Sequence, residues 1–484
     1  MTDQTERPAE PATSRAGSAS SNPGSASRED GSAIGNSAFS RRGMLRAAGA
    51  SAAVVGGGGL LSACSSSLKG ASAASTGSSS AGASTAPIKI AFIQPATGDL
   101  AEFATSDDWI LKKIQATSQF KNGLKVGGKT YQVEFTSYDT QSDPTRAGQI
   151  ASQAILSDNV DMILTSSTPE TVIPVATAAE KLGTPCVAGN VPWQAWYSNL
   201  GGNPTPGKTT FKPKWNTMYF LGVNDLANAF IPMWNRVQKQ LSTDKSVGCA
   251  FPNDDDGNAF RAAWPIFAKP AGYTLVDPPA YTDGLTSYTS MIDLFLSNKC
   301  DFFTNAPLPP DFNTMWKQAA QLGFKPKLAT VAKVLLFPTD VLALGDLAIN
   351  IATDAWWTAN MPWTSSLTGE TCQQIASAFE SDTGGQWVQS LSNYSLFEVA
   401  HAAFTAVNNP HDKAEVAAAL FNVNINGLAG QLNWAGSKIP GVVDTPCVGV
   451  QWKKGTTYPY QMYVVDNTLM SNVPLTGTLE PTNT

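Results

Sequence analysis

The chain has 484 residues, of which 42% are hydrophobic and 14% are charged, and its formal net charge is -6 at pH 7. This modest negative charge, without a basic run after residue 87, excludes a protein that binds nucleic acid through a basic patch. Five of the six cysteines follow Cys64, and no metal-ligand spacing occurs among them. A Cys372–Cys447 bridge is compatible with the sequence, which does not establish it.

Residues 1–63 have the pattern of an export signal. Paired arginines at 41–42 precede a weakly apolar run at 47–61, and such a pair is typical of the twin-arginine route. The run is about 15 residues long, whereas a membrane-spanning helix needs about 20. The tetrad 61–64 resembles the lipobox of bacterial lipoproteins, which implies acylation of Cys64 and an exported, lipid-anchored protein. A free thiol in a disordered tail is the alternative.

Low-complexity composition marks two further stretches near the N-terminus. Residues 1–39 and 65–86 are rich in Ser, Ala, Gly and Thr and cannot bury a core. We expect 64–87 to be a flexible tether. The roughly 390 residues that follow are too many for one core, so two domains are expected.

After residue 87, short apolar runs alternate with helical patterns in two successive sets. This alternation is typical of βαβ units with parallel sheets and predicts an α/β fold with two doubly wound lobes. The first set has strands at 88–93, 131–137, 160–165 and 185–188, with helices at 108–120 and from residues 143 and 167. The second set has strands at 218–221, 247–251, 274–276, 301–304 and 327–331, with helices at 226–241, after 257, at 287–296 and at 312–322.

Ligands of open parallel sheets bind beyond the carboxyl ends of the strands, so the loops that follow the strands are candidate sites. The loop at 166–170 is the most informative. Ser167 and Glu170 fit a capping box, in which Ser167 is the N-cap residue and Glu170 the third helical residue. Either this is an ordinary helix start, or its amides and hydroxyls bind a polar or anionic ligand group. The candidate loops are 94–104, 166–168, 189–193, 252–257, 305–311 and 332–335.

From about residue 88 to 473 the chain resembles the type I periplasmic solute-binding proteins of ABC importers, in the branched-chain amino-acid and amide branch. The resemblance depends on the order in which short matching sequence segments follow one another. These segments are 97–101, 139 with 143–144, 166–169, 253–257, 310–312, 317–323 and 397–400. It implies two lobes joined by a three-crossing hinge, with ligand trapped by hinge closure. The implied boundaries are 88–222 and 353–440 for lobe I, 223–352 and 441–475 for lobe II, and 476–484 for a tail.

The resemblance also implies ligand-binding positions. Ser167 and Thr168 match a loop that holds a ligand carboxylate in the family, and Phe103 falls where an aromatic residue often covers the ligand. Asp256 occupies a position that often carries tyrosine. The full set of expected ligand-binding residues is Phe103, Ser166, Ser167, Thr168, Asn190, Val191, Trp193, Asp256, Pro309, Ala332, Lys333 and Trp356.

One position departs from the family pattern. Amino-acid binders of the family hold the ligand ammonium with an acidic residue near Ala332, where this chain has Lys333. A lysine would repel an ammonium group and could attract a second anionic group. The aspartates at 254–256 could supply the missing negative charge or could form a solvated turn.

The tryptophans near these loops bear on the ligand. Trp193 and Trp196 follow the fourth predicted strand, and Trp356, Trp357 and Trp363 cluster near the expected third crossing. They either pack in the core or line the cleft, where indole rings would favour an aromatic or extended apolar carboxylate or amide.

No enzyme motif occurs in the sequence. The two histidines, His401 and His411, have no motif partner, and the G-x-S-x-G, H-E-x-x-H and Walker A patterns are absent. The sequence therefore predicts a monomeric binding protein without cofactor, whose partners are a small molecule and the permease subunits of an importer. Two alternatives remain: a ligand-sensing module of a receptor, and a glycosidase that uses Asp254 or Asp256 with Asp311.

Overall fold

The computed structural model describes residues 85–482. The predicted signal, Cys64 and most of the predicted tether lie outside the described residues.

Strands and helices alternate along most of the described chain. The strands are β1 (Ile88–Gln94), β2 (Leu124–Val126), β3 (Lys129–Tyr131), β4 (Val133–Asp139), β5 (Met162–Thr165), β6 (Cys186–Gly189), β7 (Asn216–Phe220), β8 (Ser246–Ala250), β9 (Thr274–Val276), β10 (Phe302–Asn305), β11 (Leu328–Val331), β12 (Ala352–Ala355), β13 (Asn424–Gly427), β14 (Gly430–Asn433), β15 (Val442–Asp444), β16 (Val448–Lys454) and β17 (Tyr460–Asp466).

The α-helices are α1 (Asp107–Ala116), α2 (Ser118–Lys121), α3 (Pro144–Leu156), α4 (Pro169–Leu182), α5 (Trp193–Asn199), α6 (Val223–Leu241), α7 (Asp255–Ala268), α8 (Thr289–Ser297), α9 (Pro309–Leu322), α10 (Pro338–Leu344), α11 (Cys372–Thr383), α12 (Tyr394–Thr405) and α13 (Lys413–Leu420). Short 3₁₀ helices occupy Ala101–Ala104, Gly345–Ala348 and Gln389–Asn393.

The first sheet is wholly parallel, in the order β15-β7-β6-β5-β1-β4. Its strand β1 is buried on both faces, which is why it reads as a nearly continuous apolar run. Ala91 and Ile93 belong to the core shared with α3 and α4. Phe92 points the other way and contacts Phe397 of α12 edge to face at 5.2 Å between ring centroids. Helices therefore cover both faces of the sheet.

The second sheet has the order β17-β16-β12-β11-β10-β8-β9. Strands β8 to β12 are parallel, and β16 and β17 add an antiparallel hairpin at one edge. Two further hairpins, β2–β3 and β13–β14, lie outside both sheets. We call the first sheet with its helices lobe I and the second lobe II. The predicted fold class is thereby confirmed.

Three crossings join the lobes. The chain leaves lobe I after β7, returns after β12, and leaves it again after β15. The predicted boundaries shift at two of these points. Residues 353–355 belong to β12 of lobe II, because they pair with β11 and β16. Residues 442–444 form β15 of lobe I, because they pair with β7. Trp356 and Trp357 therefore follow the second crossing, not the third.

Other expectations also need correction. The strand expected at 218–221 to begin the second set is β7, which pairs with β6 in lobe I. The expected helix at 108–120 is divided between α1 and α2. The expected tail is packed on lobe II, where Thr482 Oγ1 accepts a hydrogen bond from Ala329 N at 2.8 Å.

Cysteines 372 and 447 do not form a bridge, since all five cysteines of the described chain are free and buried. Among residues 85–482, no helix combines the length and apolar character that crossing a membrane requires.

Candidate functional site

The strand orders locate a crevice in each lobe. In lobe I, β4 and β5 lie on opposite sides of β1, and in lobe II, β9 and β10 lie on opposite sides of β8. Chain connections diverge at these points, and ligands of open α/β sheets bind there, beyond the carboxyl ends of the strands. A cavity of about 40 Å³ lies between the lobes and is lined by residues that follow strands of both sheets. Ligand pockets usually measure about 300–1,000 Å³, so this cavity is smaller than a typical ligand pocket.

Seven of the twelve expected ligand-binding residues line this cavity. Lobe I supplies Phe103 after β1, Thr168 after β5 and Asn190 after β6. The others follow strands of lobe II. They are Asp256, Ala332, Lys333 and Trp356.

The other five expected residues lie behind the lining. Ser166 donates its hydroxyl to Asn393 Oδ1 at 3.0 Å. The Ser167 and Val191 side chains are fully buried. Trp193 packs edge to face on Tyr197 within lobe I, at 6.3 Å between ring centroids. Pro309 is the buried first residue of α9. All five are buried behind the cavity lining, and the Ser167 hydroxyl and the Trp193 indole nitrogen have no hydrogen-bond partner among the described residues.

The predicted capping box is wrong. The N-cap residue of α4 is Thr168, not Ser167, and it makes no side-chain capping hydrogen bond. Glu170 is therefore the second helical residue, and its carboxylate does not return to the cap. It extends across the cleft to Lys333 Nζ in lobe II, at 2.6 Å.

Lys333 is the centre of a buried ion cluster that joins the lobes. Its ammonium lies 2.6 Å from Glu170 Oε1, 2.9 Å from Asp256 Oδ2 and 3.2 Å from Asp254 Oδ2. An ammonium has three donors, and three carboxylates use them. Lys333 consequently has no donor left for the second anionic ligand group that the sequence suggested. Asp256 is only 3% exposed and Asp254 shares its cation, so these two aspartates are not part of a solvated turn, whereas Asp255 is exposed.

Proton affinities within the cluster follow from burial and charge. Burial disfavours the ammonium, but the carboxylates around it outweigh this and raise the pKa of Lys333 well above its usual value. Burial also opposes ionisation of Glu170, yet Lys333 lowers the pKa of that carboxyl. Burial, together with Glu170 and Asp254, raises the pKa of Asp256 to about 7. Three carboxylates this close could hold a metal ion, but the Lys333 ammonium occupies their centre.

Aromatic side chains form the apolar part of the cavity. Phe220 and Trp356 meet edge to face at 5.1 Å between ring centroids. The indole nitrogen of Trp356 donates to Ser392 Oγ at 3.0 Å, and its backbone N–H donates to Gln389 Oε1 at 3.0 Å. Both partners belong to the 3₁₀ helix Gln389–Asn393, which thereby fixes the indole.

Three lining residues have left-handed backbone conformations that residues other than glycine rarely adopt. The φ angles are 67° at Thr168, 57° at Asn190 and 68° at Lys333. Such conformations cost about 1–3 kcal/mol each and persist where surrounding contacts impose them. Residues held in such conformations are frequent at ligand-binding and active sites, which makes this cavity the candidate site.

Sequence reasoning missed several residues of the site. Phe220 and Asp354 line the cavity from β7 and β12. Asn393 lies behind it, accepts from Ser166 and Asn190, and donates to Asp107 Oδ1 at 2.8 Å. The strand-end rule could have found Phe220, which lies in the strand predicted at 218–221, but no strand is predicted around Asp354. No local pattern marks Asn393.

Three buried carboxyl groups should make the free energy of unfolding depend on pH. Burial raises the pKa of Asp107 to about 8 and those of Asp256 and Asp354 to about 7. In the unfolded chain they ionise near pH 4, so between about pH 4 and 8 the folded protein holds protons that the unfolded chain has lost. The free energy of unfolding should therefore fall as pH rises, by up to about 1.4 kcal/mol per pH unit for each carboxyl.

Urea unfolding at about pH 5 and about pH 8 measures this difference. Asp354→Asn, which removes one of the carboxyls, should flatten the dependence. Equal free energies of wild type at the two pH values would contradict the prediction.

Comparisons with known proteins agree with this geometry. A family model described as "Periplasmic binding protein" matches residues 87–457. No curated protein sequence matches the chain significantly. Many solved structures share the fold. A leucine binding protein from Thermotoga maritima is 17% identical, with a TM-score of 0.62 over 79% of this chain and 99% of that chain.

Two other similar structures were solved with ligands. A branched-chain amino acid transporter substrate binding protein from Streptococcus pneumoniae, in complex with isoleucine, is 15% identical, with a TM-score of 0.61 over 78% of this chain and 99% of that one. An ABC transporter solute binding protein from R. palustris, in complex with 4-hydroxybenzoate, is 15% identical, with a TM-score of 0.62 over 80% of this chain and 99% of that one. The chain therefore belongs to the periplasmic binding protein family and shares the type I fold of these solved structures.

Proposed function

We propose that this protein is the solute-binding component of an ABC import system. It captures a small amino-acid-, amide- or aromatic-carboxylate-like ligand between its lobes and delivers it to a membrane permease, while lipid on Cys64 holds it at the outer face of the cytoplasmic membrane. The observation that carries the proposal is the cavity lined by strand-end residues from both lobes. A ligand that contacts both walls binds the closed arrangement better than the open one and shifts the population toward it.

The chemistry of the cavity walls restricts the kinds of ligand that fit. The apolar wall of Phe103, Phe220, Phe260 and Trp356 suits a flat or extended apolar body. Oxygen atoms of Asp256 and Asp354 are buried without a partner among the described residues and can accept hydrogen bonds. Lys333 has no free donor for a second carboxylate of the ligand. An amide, amine or hydroxyl group of the ligand therefore fits the polar wall better.

The isoleucine and 4-hydroxybenzoate complexes of similar folds suggest the first ligands to test. Calorimetric titration should use the full-length chain with isoleucine, 4-hydroxybenzoate and 4-hydroxybenzamide. We expect saturable binding of one molecule per chain for at least one of them, and recovery of the ligand unchanged.

The variant Asp256→Asn removes a cavity carboxylate and should change the affinity about tenfold or more, which corresponds to about 1.4 kcal/mol. Asp346→Asn, at an exposed surface ion pair with Lys454, is the matched control and should leave the affinity unchanged. Saturable binding that neither variant affects would place the site elsewhere, and turnover of a ligand would favour an enzyme.

A further inference from the structure

A second contact between the lobes lies beside the ion cluster. The 3₁₀ helix Ala101–Ala104, which follows β1 of lobe I, meets the start of α10 in lobe II. Phe103 and Phe337 pack edge to face there, with ring centroids 4.9 Å apart. Next to these rings, the carboxyl groups of Glu102 and Asp340 approach each other within hydrogen-bonding contact.

Two facing carboxyl groups need a proton between them. An ionised carboxylate only accepts hydrogen bonds, so one member of the pair must be protonated to donate. Glu102 Oε1 and Asp340 Oδ2 are both buried and have no other partner among the described residues. The second oxygen of Glu102 accepts from Thr339 Oγ1 at 3.0 Å. One shared proton therefore completes the hydrogen bonding of the pair.

Among residues 85–482, neither carboxyl forms a salt bridge with a Lys, Arg or His side chain. The backbone N–H groups of Leu335 and Leu336 donate hydrogen bonds to Asp340. Burial, followed by the neighbouring Glu102, raises the pKa of Asp340 well above its usual value. Burial also raises the pKa of Glu102.

We propose that closure of the two lobes takes up one proton, which is held between Glu102 of lobe I and Asp340 of lobe II. This inference rests on the hinge motion of the proposed function. When the lobes separate, each carboxyl faces water and ionises near its ordinary pKa of about 4. The closed form then binds the proton more tightly than the open form does. Closure is therefore favoured as pH falls, by up to about tenfold per pH unit above about pH 4.5.

Spin labels on the two lobes can measure the closed and open populations. Suitable exposed sites are Lys112 of α1 and Ala343 of α10, changed to cysteine in a full-length chain that also carries Cys64→Ser. The other described cysteines are buried, so the labels report only these sites. The ratio of closed to open chains in wild type should rise about tenfold or more between about pH 8 and about pH 5.5.

The variants Glu102→Gln and Asp340→Asn each supply an amide that donates to the remaining carboxylate without a proton. Both should stay mostly closed at either pH and respond to pH less steeply than wild type, the remaining response coming from Asp256 and Asp354 of the cleft, whose pKa burial raises to about 7. Thr339→Ser keeps both carboxyls and the hydroxyl that donates to Glu102 and should respond like wild type. The proposal would be overturned, and the hinge motion kept, if the two distances between the labels had populations that do not change with pH. It would also be overturned if both amide variants responded to pH as strongly as wild type. A single distance between the labels in every sample would contradict the hinge motion.

Discussion

Replacing Lys333 with methionine should lower the free energy of unfolding by about 3–5 kcal/mol near pH 7.5, the usual cost of removing one partner from a buried ion cluster. Methionine keeps the length of the side chain but leaves Glu170, Asp254 and Asp256 without their cation. Their mutual repulsion in a buried site has no other compensation within the cluster. The loss should shrink near pH 5, where Asp256, whose pKa burial raises to about 7, is protonated and no longer adds to the repulsion. Urea unfolding at both pH values measures it.

A matched control exists on the same lobe. Lys327 pairs with Asp301 at 3.6 Å, and its side chain is 42% exposed. Exposed pairs contribute about 0–1 kcal/mol, so Lys327→Met should cost no more than that. Similar losses in Lys333→Met and Lys327→Met would show that the buried cluster does not stabilise the protein.

Glu170→Gln distinguishes the contribution of the ion cluster to stability from its contribution to holding the two lobes closed. It removes the carboxylate that lobe I contributes and leaves Lys333 with Asp254 and Asp256 in lobe II. The loss of stability should be smaller than for Lys333→Met, because the remaining charges are still paired. The population of the open arrangement should rise, since the ion pair across the cleft is gone.

The fold was readable from the sequence because its signals are local. Buried parallel strands such as β1 and β5 appear as short apolar runs, and the intervening helices have start signals such as Asp143, whose side chain accepts from Arg146 N at 2.6 Å. The strand-end rule then led to the loops that line the cavity. The crossings were placed less well, because the sheet to which a short strand such as β15 belongs depends on distant pairing partners.

The polar contacts of the site could not be read in this way. Glu170 and Lys333 are 163 positions apart, and Ser166 and Asn393 are 227 apart. Only the packing of the two lobes decides that Glu170 extends to Lys333 and does not cap its own helix. The identity of Lys333 suggested a free cation facing the ligand, but the carboxylates that surround it come from the N-terminal ends of two separate helices, α4 and α7. Charge at a buried site thus depends on the folded neighbours of a residue.

Asn393 connects the loops behind the cavity, and its replacement by alanine is the second change with a large expected effect. Its Oδ1 accepts from Ser166 Oγ at 3.0 Å and from Asn190 Nδ2 at 2.9 Å, and its Nδ2 donates to Asp107 Oδ1 at 2.8 Å. All four side chains are at least 96% buried, so water cannot replace the lost partner without entering the core. Each buried polar group left unsatisfied costs about 1–3 kcal/mol.

We expect Asn393→Ala to lower the free energy of unfolding by about 3 kcal/mol, because Asp107 keeps no other side-chain partner and Ser166 loses an acceptor. Asn190, which lines the cavity, would lose one of its two acceptors and become less well positioned. Ligand affinity measured in the absence of urea should therefore fall together with stability. Asn422→Ala is the control, since its exposed amide donates only to Ala418 O at 2.9 Å. If both alanine variants unfold at the same urea concentration, Asn393 does not hold these loops together.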